Sequence, residues 1–184
     1  MEATLTGSWS FEPESAIASF CVREFGLVPV HGHIPVVSAT ARIDDGDVVQ
    51  ASATLDAAGV VTGNAKRDRD LRKPRFLSSN EHPGITWRAR EARQLSDGTY
   101  AVDATLEVRG ITTPLATTVS VVPRDDGTIA ATLTAVLDRL AVGIRAPRVL
   151  VARQVEITVH VVMTRTVISE LAAAPGSAAL GGAS

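Results

Sequence analysis

Strict alternation of apolar and polar side chains over a whole segment commits that segment to a half-buried β-strand, because successive side chains of a strand point to opposite faces. Three segments of this chain show it. Val102, Ala104, Leu106 and Val108 oppose Asp103, Thr105, Glu107 and Arg109. Leu133, Ala135 and Leu137 oppose Thr132, Thr134 and Asp138, and Val155, Ile157, Val159, Val161 and Met163 oppose Glu156, Thr158, His160 and Thr164. A helical stripe would need a period near 3.6, so these segments exclude an all-helical protein.

Further strands are expected at 16–25, 34–44, 47–57, 83–93 and 114–122, giving about eight. The signals Asp44-Asp45-Gly46, Ser96-Asp97-Gly98 and Asp125-Asp126-Gly127 mark tight hairpins and therefore antiparallel neighbours. Eight strands with one apolar face each can close into a barrel or stack as a sandwich. Closure removes exposed edges, which favours an all-β, eight-stranded antiparallel barrel. Two stretches break the pattern. Residues 63–77, GNAKRDRDLRKPRFL, are rich in helix formers and end near Pro74, which predicts a short helix at the barrel mouth. Residues 140–149, with Gly143 and Pro147, are too long for a tight hairpin and read as a second lid.

The length of 184 residues suits one domain, read as a barrel over 1–168 followed by a flexible Ala/Gly-rich tail at 169–184. Lys and Arg total 18 against 20 Asp and Glu, so no net field is expected to draw the protein toward nucleic acid or an anionic membrane surface. Cys21 is the single cysteine, which excludes an intramolecular disulfide and a cysteine metal cluster. The first residues lack the basic and apolar regions of a leader, and no stretch approaches about 18 consecutive apolar residues. A cytoplasmic protein without stable membrane insertion is expected.

Aromatic residues make up only 4% of the chain, and the inward faces carry Ala51, Ala53, Ala89, Ala104 and Ala135. Small inward residues permit a ligand cavity like that of lipocalins, with Phe20, Val22, Ile85, Trp87, Leu106 and Leu137 as its wall. An ordinary core in which each alanine faces a large residue fits the composition as well. On the inward faces as read, no ionisable group is found.

The polar residues have both functional and structural readings. Arg67 and Asp68 on the mouth helix could orient a head group by charge-assisted hydrogen bonds, or could cap the helix and fix it to the strand ends. Arg109-Gly110 reads as a turn in which Gly110 takes positive φ and Arg109 braces neighbouring carbonyls or a carboxylate. His31-Gly32-His33 lacks a third ligand nearby, so a turn or strand start explains it better than a metal. His82 reads as a loop residue, His160 as exposed, and Cys21 as a thiol without a neighbouring base. No metal and no cofactor are expected.

Four blocks, in order, resemble the YceI-like family of lipocalin-like, polyisoprenoid-binding proteins. They are WSFEPESAIASFCVREFGLVPVHGHI, VVTGNAKRDRDLRKPRFLSSNEHPGITW, LEVRGITTPL and VLDRLAVG, covering about 9–164. The resemblance implies an extended barrel, a helix beside its mouth, a long channel for an isoprenoid or quinone-like lipid, often a homodimer, and no defined reaction. It adds Ile34, Leu71, Phe76 and Ile144 to the expected channel, and Asp70 to Arg67 and Asp68 as head-group candidates. Asp70 and Glu24 stand where the family often has histidine, and Ile34 where it often has phenylalanine. If the family's histidines touch a lipid head group, two carboxylates there would favour a cationic or donor-bearing head and disfavour phosphate. The function expected is carriage or sequestration of that lipid. An enzyme acting on a small apolar substrate inside the barrel, or a solid barrel acting as an interaction module, are the alternatives.

Overall fold

The computed structural model describes residues 6–11, 16–44, 47–146 and 151–166. The expected tail and its boundary at 168 lie outside the described residues. The strands are β1 Gly7–Phe11, β2 Ile17–Glu24, β3 Val28–Asp44, β4 Asp47–Asp56, β5 Gly84–Ser96, β6 Thr99–Val108, β7 Ile111–Pro123, β8 Ile129–Asp138 and β9 Val151–Arg165. From β2 to β9 each strand pairs antiparallel with the next, and β9 returns to β2. The result is a closed eight-stranded barrel with no open edge among these strands.

The ninth strand, β1, was not expected. It pairs with residues 40–43 of β3 and 163–165 of β9, the stretch that β2 leaves uncovered. β1 and β2 therefore share one stave. With only Trp9 and Phe11 as alternating apolar positions, GSWSF is too short to show a period.

The strand expected at 34–44 begins earlier, at Val28, and the one expected at 83–93 runs on to Ser96. The register shifts between Val36 and Ser38, and again between Ala89 and Glu91. An extra residue flips the following side chains to the other face. The core side of β3 accordingly passes from Ile34 and Val36 to Ala39, Ala41 and Ile43. Because β3 begins at Val28, His31-Gly32-His33 lies within a strand and not at a turn or strand start.

The two barrel ends differ in a way that the turn signals anticipate. The Asp/Gly hairpins join β3 to β4, β5 to β6 and β7 to β8 at one end. There Trp9, Ile43, Tyr100, Val102, Val121, Ile129 and Met163 fill the interior. At the other end lie the connections 25–27, 57–83 and 109–110 and residues 139–146 of the β8–β9 connection. The connection 57–83 holds a short 3-10 turn, Ala57–Gly59, and the helix α1, Ala65–Leu71, inside the expected 63–77. The Asn64 side chain caps α1, accepting from the N–H groups of Lys66 and Arg67, both at 3.1 Å. No helix among the described residues is long and apolar enough to cross a membrane.

Candidate functional site

The end with long connections opens into a cavity of about 720 Å³. Phe20, Val22 and Ile34 line it from β2 and β3, Ile85, Trp87 and Leu106 from β5 and β6, and Leu137 from β8. Leu71 and Phe76 close one side of the mouth and Ile144 another. All ten residues expected in a channel thus surround one space. Sequence reading left out Val155, Ile157, Val159 and Leu133, although each belongs to an alternating run whose inward face had been recognised.

The reason for the hollow differs from the one expected. Of the five inward alanines named, only Ala53 lines the cavity; Ala104 and Ala135 are buried in the core, and Ala51 and Ala89 pack against it. Space arises instead because aliphatic side chains face each other across the mouth half, while Trp9, Tyr100 and Met163 plug the other half. Trp87 forms part of the floor beside its cross-strand neighbour Ala53. Its Nε1–H donates to Thr117 Oγ1 at 3.3 Å, and Thr117 Oγ1 donates to the Leu115 carbonyl at 3.1 Å. The floor's polar atoms are therefore satisfied within the protein.

Gly32 shapes the wall. It sits opposite Phe20 in the ladder, and a Cβ there would lie 2.4 Å from the Phe20 ring and 2.9 Å from the Thr62 methyl. A strand glycine at such a point allows an aromatic ring to lie over the backbone. Gly32→Ala is expected to cost about 1–3 kcal/mol by overpacking. Adding Phe20→Ala should recover most of that loss, measured as a double-mutant cycle by urea unfolding. Simple additivity would show that the ring does not rest on Gly32.

At the rim, Arg67 donates through Nε to Thr62 Oγ1 at 2.8 Å and through Nη2 to the Thr62 carbonyl at 3.2 Å. Its Nη1 lies 3.5 Å from Glu24 Oε1, a long ion pair between half-buried groups. Asp68 does not face the cavity. It is buried, with Oδ1 accepting from the Thr62 N–H at 2.8 Å and from Thr62 Oγ1 at 2.5 Å. Its position one residue after Arg67 turns it toward the strand end, so it fixes the helix and is withdrawn as a head-group contact. Asp70 lines the rim, paired with Lys73 at 2.6 Å, and the hydrogen bond from Lys73 holds its carboxyl below the ordinary range.

These pairings set the two rim carboxylates beside cations. Glu24 and Asp70 each face a cation, and Lys66 and Arg75 also line the rim. The described rim therefore carries more positive than negative charge.

The expectation that no ionisable group faces inward is also overturned. Arg139 is only 2% exposed and lies in the wall. Its Nε donates to the Ala152 carbonyl, Nη1 to that of Ile144, and Nη2 to those of Ala146 and Val151, at 2.7–2.9 Å. One planar fork thus ties both ends of the β8–β9 connection, the expected second lid, whose residues 147–150 lie outside the described ones. Extending the alternation of Leu137 and Asp138 by one residue would have placed Arg139 inside. Asp138 assists from the outer face: Arg153 bonds its Oδ2 at 2.8 and 2.5 Å, and it accepts the Leu140 N–H at 3.0 Å. Hydrogen bonding from Arg153 is the largest cause holding its carboxyl below the ordinary range.

The remaining polar candidates are structural or lie outside the cavity. Arg109 and Gly110 both take positive φ in the β6–β7 turn, and Arg109 Nη1 donates to the Gly143 carbonyl at 2.6 Å. His82 sits against Gly110, in the 57–83 connection. His31 and His33 are exposed, and His160 bonds Thr132 Oγ1 at 3.0 Å. Cys21 does have a neighbouring base, His31 Nε2 at 4.0 Å across the strands, a proximity that chain distance concealed. No group of three His, Cys, Asp or Glu suited to a metal exists among the described residues.

The comparisons with known proteins agree with this geometry. A UPF0312 protein of Pectobacterium atrosepticum is 25% identical over 117 residues, covering 61% of this chain and 60% of its own length. One from Ectopseudomonas mendocina is 27% identical over 104 residues, covering 55% and 54%. The chain thus matches about three fifths or less of these curated relatives' length. In fold it is similar to BcnA of Burkholderia cenocepacia, with a TM-score of 0.73 at 17% identity over 83% of this chain and 98% of that one. It is also similar to a polyisoprenoid binding domain from Saccharophagus degradans, with a TM-score of 0.69 at 13% identity over 86% and 98%. Residues 9–163 match the profile of the YceI-like domain, and the chain belongs to that family.

Proposed function

We propose that this protein reversibly carries or sequesters a long apolar lipid of the polyprenyl or quinone-like class, tail inward, without making or breaking bonds. The observation that carries this reading is the segregation of the cavity: an aliphatic and aromatic interior, floored by Trp87, with its charged side chains, Arg139 apart, gathered at one rim. Removing a tail from water contributes about 0.8 kcal/mol per buried methylene, so a tail of several isoprene units has ample gross driving force. Selection then rests on cavity depth and on the head group at the rim. Arg67 has donors beyond its two bonds to Thr62, and a head-group oxygen could replace the long contact with Glu24.

Acid–base catalysis inside the cavity would need a titrating group near neutrality. Arg139 keeps its charge and its donors are committed to carbonyls, while Glu24 and Asp70 stand at the rim beside cations. This favours carriage over the enzymatic alternative. Whether the carrier works as a dimer is a separate expectation, taken from the family.

Trp87 provides the test. The chain has two tryptophans, and Trp9 belongs to the filled end. Titration with a prenyl quinone in vesicle-free solution should quench intrinsic fluorescence saturably, and Trp87→Phe should remove most of the change. Quenching carried by Trp9 alone, or none, would count against a tail reaching the floor.

A further inference from the structure

We propose that the barrel docks rim-first onto an anionic lipid bilayer, with the β2–β3 turn as an apolar wedge and residues 66–75 as a cationic collar. The proposal rests on the carriage reading, for which it supplies the surface where a tail would enter or leave.

The wedge is the stronger observation. Glu24 lines the rim, and the next residues turn outward, with Phe25 61%, Leu27 81% and Val28 54% exposed. Phe25 holds φ 51°, a left-handed conformation that is unfavourable for a bulky side chain. The fold thus accepts local strain and leaves the ring in solvent, at the one turn that borders Glu24. The hairpin itself is held, since the Leu27 N–H donates to the Glu24 carbonyl at 3.1 Å and Glu24 reaches Arg67 of α1.

The collar explains which surface the wedge would meet. Residues 66–75 contain six basic and two acidic side chains, in a chain whose formal net charge is −2. Lys66, Arg67, Lys73 and Arg75 line the rim, and Arg75 lies 5.7 Å above the ring of Phe76. Such an asymmetry turns the rim toward an anionic surface while the rest of the chain is repelled. Apolar side chains beside clustered cations are the combination that seats a protein in the interfacial layer. Docked in this way, the mouth would open onto lipid, and a tail would pass from bilayer to barrel without crossing water.

Flotation of the full chain with vesicles provides the test. Association is expected with phosphatidylcholine vesicles containing phosphatidylglycerol, not with phosphatidylcholine alone, and should weaken as salt rises. Combined Phe25→Gly and Leu27→Ser should weaken it roughly tenfold by loss of apolar insertion. Glycine accepts the left-handed φ freely, so this variant should fold. Lys73→Glu and Arg75→Glu should each weaken association roughly fivefold or more. The Phe25/Leu27 variant should still bind a prenyl quinone in vesicle-free solution, read from Trp87 fluorescence. Equal association with both vesicle types, or wedge variants that float like the parent, would overturn docking. A self-association of the parent that the wedge variant abolishes without vesicles would also overturn it, by assigning the surface to a second copy. Docking that persists in a protein unable to bind the quinone would overturn carriage instead.

Discussion

Replacing Arg139 with methionine is expected to destabilise the protein by about 3–5 kcal/mol, the range for removing one partner from a buried charge-assisted network. For a domain of this size that is a fall in Tm of roughly 6–20 °C. The side chain serves four carbonyls, of Ile144, Ala146, Val151 and Ala152, from a position almost wholly removed from solvent. Methionine fills similar space but leaves those oxygens without donors. Arg139→Lys should recover little, because a compact ammonium cannot span carbonyls that a planar fork reaches together. Thermal and urea unfolding followed by circular dichroism would measure both. A loss below about 1 kcal/mol would mean that water readily serves these carbonyls and that the β8–β9 connection is held by other contacts.

The second large effect concerns the ligand and not the fold. Ala53 lines the floor beside Trp87, and Ala53→Phe should raise that floor by one ring. Phenylalanine is preferred to tryptophan because an indole N–H there would need a partner. Excluding about one isoprene unit, some five carbons, forfeits about 4 kcal/mol at the usual burial coefficient. Affinity for the longest tail that fits should fall on the order of a thousandfold, while that for tails one unit shorter should change little. Stability should shift by less than about 1.5 kcal/mol, since the ring enters empty space and not a filled core. Uniform weakening across a series of prenyl quinones would show that the tail does not reach the floor.

Much of the barrel could be read from the chain because its information is local. Alternation from Val102 to Val108 and from Val155 to Met163 states which face is buried, and the Asp/Gly turns state where strands reverse. Those turns also mark the filled end, since tight hairpins leave little room for a mouth. What could not be read depends on register. β3 changes its inward parity at the bulge after Val36, and β1 is recognisable only from the gap that β2 leaves between β3 and β9.

The channel wall was legible for the same reason as the strands: parity places Phe20, Trp87 and Leu137 inside. The rim was not. Asp68 and Arg67 are adjacent in the helix, yet one braces Thr62 from within and the other faces Glu24. Only the path of the 57–83 connection decides that. Arg139 lies one residue beyond the alternation as followed to Asp138, although parity pointed inward and the buried carbonyls of the lid supply its solvation.

The central claim is that the cavity holds a lipid tail, and the most direct test is to identify what the protein carries when purified without detergent. Native mass spectrometry with organic extraction should show a co-purifying molecule with a prenyl tail, stoichiometric with the chain and reduced in Ala53→Phe. A protein that emerges empty, and that then fails to take up prenyl quinones offered in vesicle-free solution, would contradict it.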